Sequence, residues 1–326
     1  MLKGVAIDLD GTLLNSYSKL SKRSRDTLQQ FKDQGGTVVI ATGRWREFTV
    51  ALQQEIPGVV DFLVCSDGGL VLKRSNDSDS TGDGWEPLQI NMLTAADVAR
   101  AVSLVRSNNS DSTFAIFPVQ GQNIVSSQSY IDWLTEEGFA AGMFKLRPPL
   151  VTADSETLLL DGSISHVAWM RVLPGSRGVS GEQLLEQLIP LFQEDERTHS
   201  NVHWKLEVSD WKLQDGTGAV ILRRKGVNKA VGLQCLVDHA KHFSWWPGAR
   251  EGKSWAGFGD NWNDLEMLDW AEMSVAPSNA PPDKGALEHA KTISTFDNDE
   301  DFVADFIERE LAKGKSKTVK TYEGKL

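Results

Sequence analysis

Short apolar runs and longer mixed stretches alternate from the first residues onward. Residues 4–9 form an apolar run, as a strand buried on both faces requires. Over residues 20–34, Leu28 and Phe31 fall on one helical face, Ser21 can cap the start, and Gly35-Gly36 ends the pattern. Residues 37–41 (TVVIA) predict a second buried strand, 44–55 a second helix closed by Pro57-Gly58, and 61–65 (DFLVC) a third strand. This β-α-β-α-β order predicts an α/β fold with a parallel sheet covered on both faces.

The rhythm then changes. The polar, glycine-rich residues 75–84 (SNDSDSTGDG) predict an exposed hairpin tip between GGLVLKR and WEPLQIN. Beyond it the pattern predicts an amphipathic helix over 93–106, two strands around Gly121 within 114–125, and a short helix over 131–139. A strand over 165–172, a helix over 181–192 and a strand over 202–208 follow. That mixture suits an α+β module of roughly 120 residues. The α/β rhythm returns with a helix over 228–242, a strand over 255–259 that runs into acid, and a helix over 264–271. A strand over 273–276 and a closing helix over 299–311 complete it. Residues 313–326 carry five lysines, one glutamate and little to bury, and are expected to be mobile. The expected organisation is a discontinuous core of residues 1–91 and 216–312, an inserted module of 92–215, and a mobile basic tail of 313–326.

Composition narrows the function classes. A chain of 326 residues suits about two domains, and no run of 18 apolar residues occurs, so no membrane-spanning helix is expected. The formal net charge of −11 disfavours nonspecific binding to nucleic acid or anionic membrane, though a local cation can still hold a small phosphate. Two cysteines, Cys65 and Cys235, are too few for a disulfide framework. With no apolar leader segment or Arg/Ser-rich presequence at the start, a cytoplasmic setting is expected.

Four short segments carry candidate chemistry. Asp8-Leu9-Asp10-Gly11-Thr12 follows the first strand directly, at the carboxyl end where open α/β sheets bind ligands. Two carboxylates so spaced can share one hard cation with substrate phosphate; an acidic turn capped by Thr12 is the simple alternative. Gly257 to Asp264 (GFGDNWND) follows another short strand, with Asp260 and Asp264 flanking the first turn of a helix. Capping explains one of these acids but not Asp, Asn and Asp together. Thr42 and Gly43 end the second strand and offer a hydroxyl and a closely approachable N–H, or simply a helix cap. Lys229 opens a helix and can reach a phosphate as a point charge, or stand solvated on the surface. An Asp-x-Asp pair alone also suits a sugar-nucleotide transferase holding Mn²⁺, but that leaves Thr42-Gly43 and the GDNWND segment without a role.

Taken together, the four segments resemble the haloacid dehalogenase superfamily of phosphatases. Their order and spacing are similar to the subclass called Cof-type or IIB, whose large cap is inserted between the second and third motifs. The resemblance implies a Rossmann-like, doubly wound parallel-sheet core with an inserted α+β cap domain, a Mg²⁺ ion and an aspartyl-phosphate intermediate. It implies Asp8 as nucleophile and Asp10 as general acid/base. Asp8, the Asp10 backbone carbonyl and Asp260 would hold Mg²⁺, with Asp264 supporting. Thr42, Gly43, Lys229 and Asn263 would bind phosphate or substrate, and Thr12 would orient the first loop. Asp67-Gly68-Gly69 departs from the Asn-Gly-Ala usual at that place, and residues 210–221 read as an insertion before the lysine motif. The expected activity is hydrolysis of a small phosphate monoester, a phosphosugar or nucleotide-like metabolite. A sugar phosphomutase and a non-catalytic metabolite-binding protein on the same fold are the alternatives.

Overall fold

A computed structural model describes residues 2–53, 55–75, 84–119, 123–126, 128–136, 150–152, 155–199, 204–240 and 254–323. It contains two compact units: Met1–Ile90 with Val227–Leu326, and Asn91–Gly226.

The first unit is built on an eight-stranded sheet in the order Thr292–Ile293, Met273–Ala276, Trp255–Phe258, Gly4–Ile7, Thr37–Ala41, Phe62–Cys65, Leu70–Arg74, Trp85–Ile90. The first six strands are parallel and the last two antiparallel. Gly4–Ile7 sits in the middle, with Val5 in register with Val38 on one side and Ala256 on the other. Its residues are fully buried, as a strand covered on both faces must be. Ala6, Val39, Ala41 and Val64 pack with Leu233 and Leu236 of the helix Lys229–Ala240 and with Met267 of Leu265–Trp270. The helix Lys22–Asp33 packs on Phe302–Glu323, tied by Arg23 to Glu308 at 2.7 Å. Its start is local chemistry: the Ser21 hydroxyl accepts from the Ser24 N–H. The chain runs outward from the central strand in both directions, through Thr37–Ala41 and through Trp255–Phe258. The carboxyl ends of these three strands therefore converge at a topological switch point.

The second unit holds a mainly antiparallel sheet in the order Trp204–Lys212, Gly218–Arg224, His166–Leu173, Thr113–Pro118, Ile124–Val125, Leu150–Val151, with Leu93–Thr94 on His166–Leu173. The helices Ala95–Asn108 and Gly181–Thr198 cover one face, where Val98, Val102, Leu184 and Leu188 meet Phe114, Met170, Val172 and Leu222. Both helices open with a capping box, Thr94 with Asp97 and Ser180 with Gln183.

Several expectations need correction. The strand Gly218–Arg224 pairs with Trp204–Lys212 and His166–Leu173, so the inserted unit ends at Gly226 rather than 215. Residues 210–221 thus belong to a hairpin of that sheet. The short helix Ser155–Leu160 carried no pattern strong enough to announce it. The closing helix runs from Phe302 to Glu323, past the end expected at 311. Among the described residues no helix is long and apolar enough to cross a membrane. The tip of the first hairpin and Gly121 lie outside the described residues.

Candidate active site

The carboxyl end of the central strand turns sharply at once. The N–H groups of Thr12 and Leu14 both donate to the Leu9 carbonyl, and Leu13 N–H donates to that of Asp8. Gly11 makes the turn at φ +78°, and a Cβ there would lie 2.5 Å from Asp260 Oδ2, so glycine is required on both counts. This turn leaves Asp8 buried beside the acids of the GDNWND segment.

Lys229 ties the acids together. It is fully buried, and its Nζ donates to Asp8 Oδ1 and to Asp264 Oδ1, each at 2.6 Å. Burial pulls its pKa down, but the carboxylates of Asp264, Asp8 and Asp67 outweigh that and hold the ammonium well above the usual lysine range. Asp264 is also buried, and its other oxygen accepts the N–H groups of Asp260 and Asn261 at 3.0 Å each. One carboxylate thus caps the turn and grips the lysine, so the capping role expected of this segment and its place in the site are served together. Gly259 permits this, since a Cβ there would sit 2.4 Å from that of Asp264.

Asp260 accepts from the Thr12 hydroxyl at 2.9 Å, which couples the first loop to the third motif. Burial, with Asp264 close by, pushes the Asp260 carboxyl up to about 6, against the pull of Thr12 and Lys229. Burial likewise pushes Asp8 well above the usual carboxylate range, because one ammonium is shared among several acids and does not offset the lost hydration.

Ligand oxygens of Asp8, Asp260 and Asp264 lie within 4.8 Å of one another. Three carboxylates against one ammonium leave a charge of about −2 when all are ionised. An all-oxygen donor set with that deficit fits a hard divalent cation. Asp264 already gives both oxygens to protein donors, which leaves Asp8 and Asp260 as the side chains best placed to hold the ion and Asp264 as their support.

Asp10 stands apart from this cluster. Its carboxylate is about half exposed and accepts two bonds from Arg44, Nε to Oδ2 at 2.7 Å and Nη2 to Oδ1 at 2.5 Å. Arg44 follows Thr42-Gly43 in the chain, and its partnership with Asp10 could not be read from sequence, because a guanidinium beside an acid across strands leaves no mark in local spacing. Thr42 is buried, and its Oγ1 accepts the Arg44 N–H at 3.1 Å, a turn that precedes the helix Arg46–Gln53 and is not its cap. Its hydroxyl proton is given to no described residue, so the group remains a donor. Gly43 lies under Asp67 and Asn263: a Cβ there would be 3.2 Å from Asp67 Oδ1 and 3.5 Å from Asn263 Nδ2. Asn263 Nδ2 donates to Asp67 Oδ1 at 2.9 Å. Asp67 is buried in a left-handed turn, with φ +50° at Ser66 and +53° at Asp67. The predicted residues, joined by Arg44, therefore gather into a buried set (Asp8, Lys229, Asp260, Asp264, Thr12, Thr42, Asp67) and a more open rim (Asp10, Arg44, Gly43, Asn263).

Comparisons with known proteins agree with this geometry. A model of haloacid dehalogenase-like hydrolases matches residues 5–138 and 193–307. The chain is 29% identical over 309 residues to the 5-amino-6-(5-phospho-D-ribitylamino)uracil phosphatase YitU of Bacillus subtilis, covering 93% of this chain and 95% of that one. A haloacid dehalogenase-like hydrolase from Bacteroides thetaiotaomicron superposes with a TM-score of 0.65 at 24% identity, over 95% of this chain and 99% of the other. A second protein of that organism, described among phosphatases of this superfamily, gives 0.66 at 21% identity over 95% of each chain. The parallel core, the strand-end acids and the match over most of the length lead to one conclusion: the chain belongs to the haloacid dehalogenase-like hydrolase family and is one of its phosphatases.

Proposed function

We propose that the protein is a Mg²⁺-dependent phosphomonoesterase that works through an aspartyl-phosphate on Asp8, in the cytoplasm, on a small phosphorylated metabolite. The observation that carries this reading is the buried Lys229, whose ammonium sits 2.6 Å from both Asp8 and Asp264 at the convergence of the central strand ends. A lysine buried among acids in this way orients the nucleophile and offers positive charge to an incoming phosphoryl group.

In the first step an Asp8 carboxylate oxygen attacks phosphorus in line, the bond to the ester oxygen breaks, and Asp10 gives a proton to the departing alcohol. In the second, water gives its proton to Asp10 and attacks phosphorus, the bond to Asp8 breaks, and inorganic phosphate leaves. Lys229 and the Thr42 hydroxyl bind the transferring oxygens, with the Gly43 N–H beside them. Asp8 and Asp260 would hold the cation, together with the Asp10 carbonyl, and the charge it supplies would neutralise the phosphoryl oxygens.

The chemistry lies wholly in the first unit, so the inserted unit is read as a cap that selects the substrate. The Bacillus subtilis relative is named for a phosphate on a ribityl chain attached to uracil. That supports a phosphosugar or nucleotide-like ester here. The test is a phosphate-release screen of the purified protein against metabolite phosphates, this one included, with Mg²⁺ and with excess EDTA. Release from one or a few esters only with Mg²⁺ is expected; no release from any ester would overturn the proposal.

A further inference from the structure

Asp67 stands where three site segments meet. Its backbone N–H donates to the Thr42 carbonyl at 3.1 Å, and the neighbouring Ser66 N–H donates to the Arg44 carbonyl at 3.0 Å, which fastens its turn to the Thr42-Gly43 turn. Gly68 packs against the start of the lysine helix so tightly, at φ +95°, that a Cβ would lie 2.0 Å from the Asn228 carbonyl oxygen. Ser66 and Asp67 are two successive non-glycine residues in the left-handed region, a conformation that side chains rarely adopt. The surrounding contacts hold them there, and the result is a buried carboxylate aimed at Asn263.

An ionised carboxylate only accepts hydrogen bonds. The Asn263 side chain therefore meets Asp67 with its amide nitrogen, as the 2.9 Å Nδ2 to Oδ1 contact shows. Its carbonyl oxygen is thereby turned away from Asp67, and no described residue donates to it. An asparagine facing another amide could present either end. Facing an acid, it presents one. Asn263 is half-buried, and its amide nitrogen lies 3.5 Å from the position of a Gly43 Cβ, so the side chain stands beside the Thr42-Gly43 turn.

We infer that Asp67 is a positioning residue that locks Asn263 as a hydrogen-bond acceptor, so that the enzyme selects phosphate esters carrying a hydroxyl or N–H donor next to the ester. The inference rests on the phosphatase reading above and adds the chemistry of the group that reading leaves open. A half-buried acceptor left without its donor costs enough to reject a deoxy analogue by about tenfold or more.

The test compares three small esters: glycerol 1-phosphate, which carries donors; propyl phosphate, which carries none; and 2-methoxyethyl phosphate, which carries an acceptor only. The wild type should prefer glycerol 1-phosphate in kcat/KM by at least about tenfold. Asp67→Asn, an isosteric change that frees the Asn263 amide to turn over, should cut that ratio several-fold and raise 2-methoxyethyl phosphate relative to propyl phosphate. Loss of the Asp67 charge acts on every phosphate alike, so the ratio reads the amide and not the charge. Asn263→Ala serves as the second variant, and it should also lose the preference. A wild type without the preference, or a preference unchanged in both variants, overturns the inference. Equilibrium binding of the same esters to the Asp8→Asn protein in Mg²⁺ separates the two readings. Absence of turnover with the binding preference intact overturns the phosphatase and leaves the lock standing. Turnover with no preference in rate or binding overturns the lock alone.

Discussion

Replacing Lys229 by Met removes one ammonium and keeps nearly the same volume. The wild-type Nζ is fully buried and lies 2.6 Å from each of two buried carboxylates. Without it Asp8, Asp260 and Asp264 face one another with no cation, and breaking a buried pair by deleting one partner costs about 3–5 kcal/mol. The assay is urea unfolding in EDTA, followed by tryptophan fluorescence. The pH dependence follows from the acids. Asp260 is held up to about 6 against an ordinary 3.8, so the fold binds its proton more tightly than the unfolded chain does. Its charged form therefore destabilises the cation-free protein above about pH 6, and stability rises as pH falls from there towards about 4. Asp8 is displaced in the same direction. Lys229 itself is charged in both states across this window, because its folded pKa lies above the ordinary lysine value. The variant should thus lose about 3–5 kcal/mol near pH 8 and clearly less near pH 5, where the acids take up protons instead. Added Mg²⁺ should restore part of the loss at the higher pH by binding the folded state. A loss under about 1 kcal/mol near pH 8, or one of equal size at both pH values, would refute the view that this ammonium compensates a buried acidic cluster.

Three further outcomes are expected. Asp8→Asn should abolish phosphate release by several orders of magnitude with an unchanged circular dichroism spectrum, since the amide keeps the shape but cannot attack phosphorus. Mg²⁺ affinity, measured calorimetrically, should weaken as pH falls through about 6 because protons compete for Asp260; an affinity flat from about pH 5 to 8 would remove Asp260 from the ligand set. Gly68→Ala forces a side chain into φ +95° and to within 2.0 Å of the Asn228 carbonyl oxygen, and should lower Tm by on the order of 10 °C in a thermal melt.

Much of the core follows from local sequence. The run TVVIA is the strand Thr37–Ala41, Ser21 caps the helix Lys22–Asp33, and each candidate acid or hydroxyl stands one or a few residues past an apolar run. Those features arise from side-chain periodicity and from groups a few residues apart, which neighbours along the chain suffice to set. The boundary of the inserted unit is different. Gly218–Arg224 is a strand of the second sheet because it pairs with Trp204–Lys212 and His166–Leu173, and hydrogen-bond partners outside a segment cannot be read within it. The same holds for the helix Ser155–Leu160, too short for its periodicity to declare itself.

The site divides along the same line. That Asp8, Asp260 and Lys229 stand at strand and helix ends was legible from the sequence. That Lys229 is buried between Asp8 and Asp264 was not, because these residues are separated by 221 and 35 positions and meet only when the central strands align. The Arg44 grip on Asp10 and the Asp67 hold on Asn263 likewise join segments 34 and 196 residues apart. Local spacing fixes which groups reach the carboxyl end of the sheet. Strand order and burial decide which of them touch, and so which carboxylate is shifted, which is paired and which end of an amide faces outward. Hydration lost on folding and charge at a few ångströms are properties of the assembled fold, and no stretch of chain carries them alone.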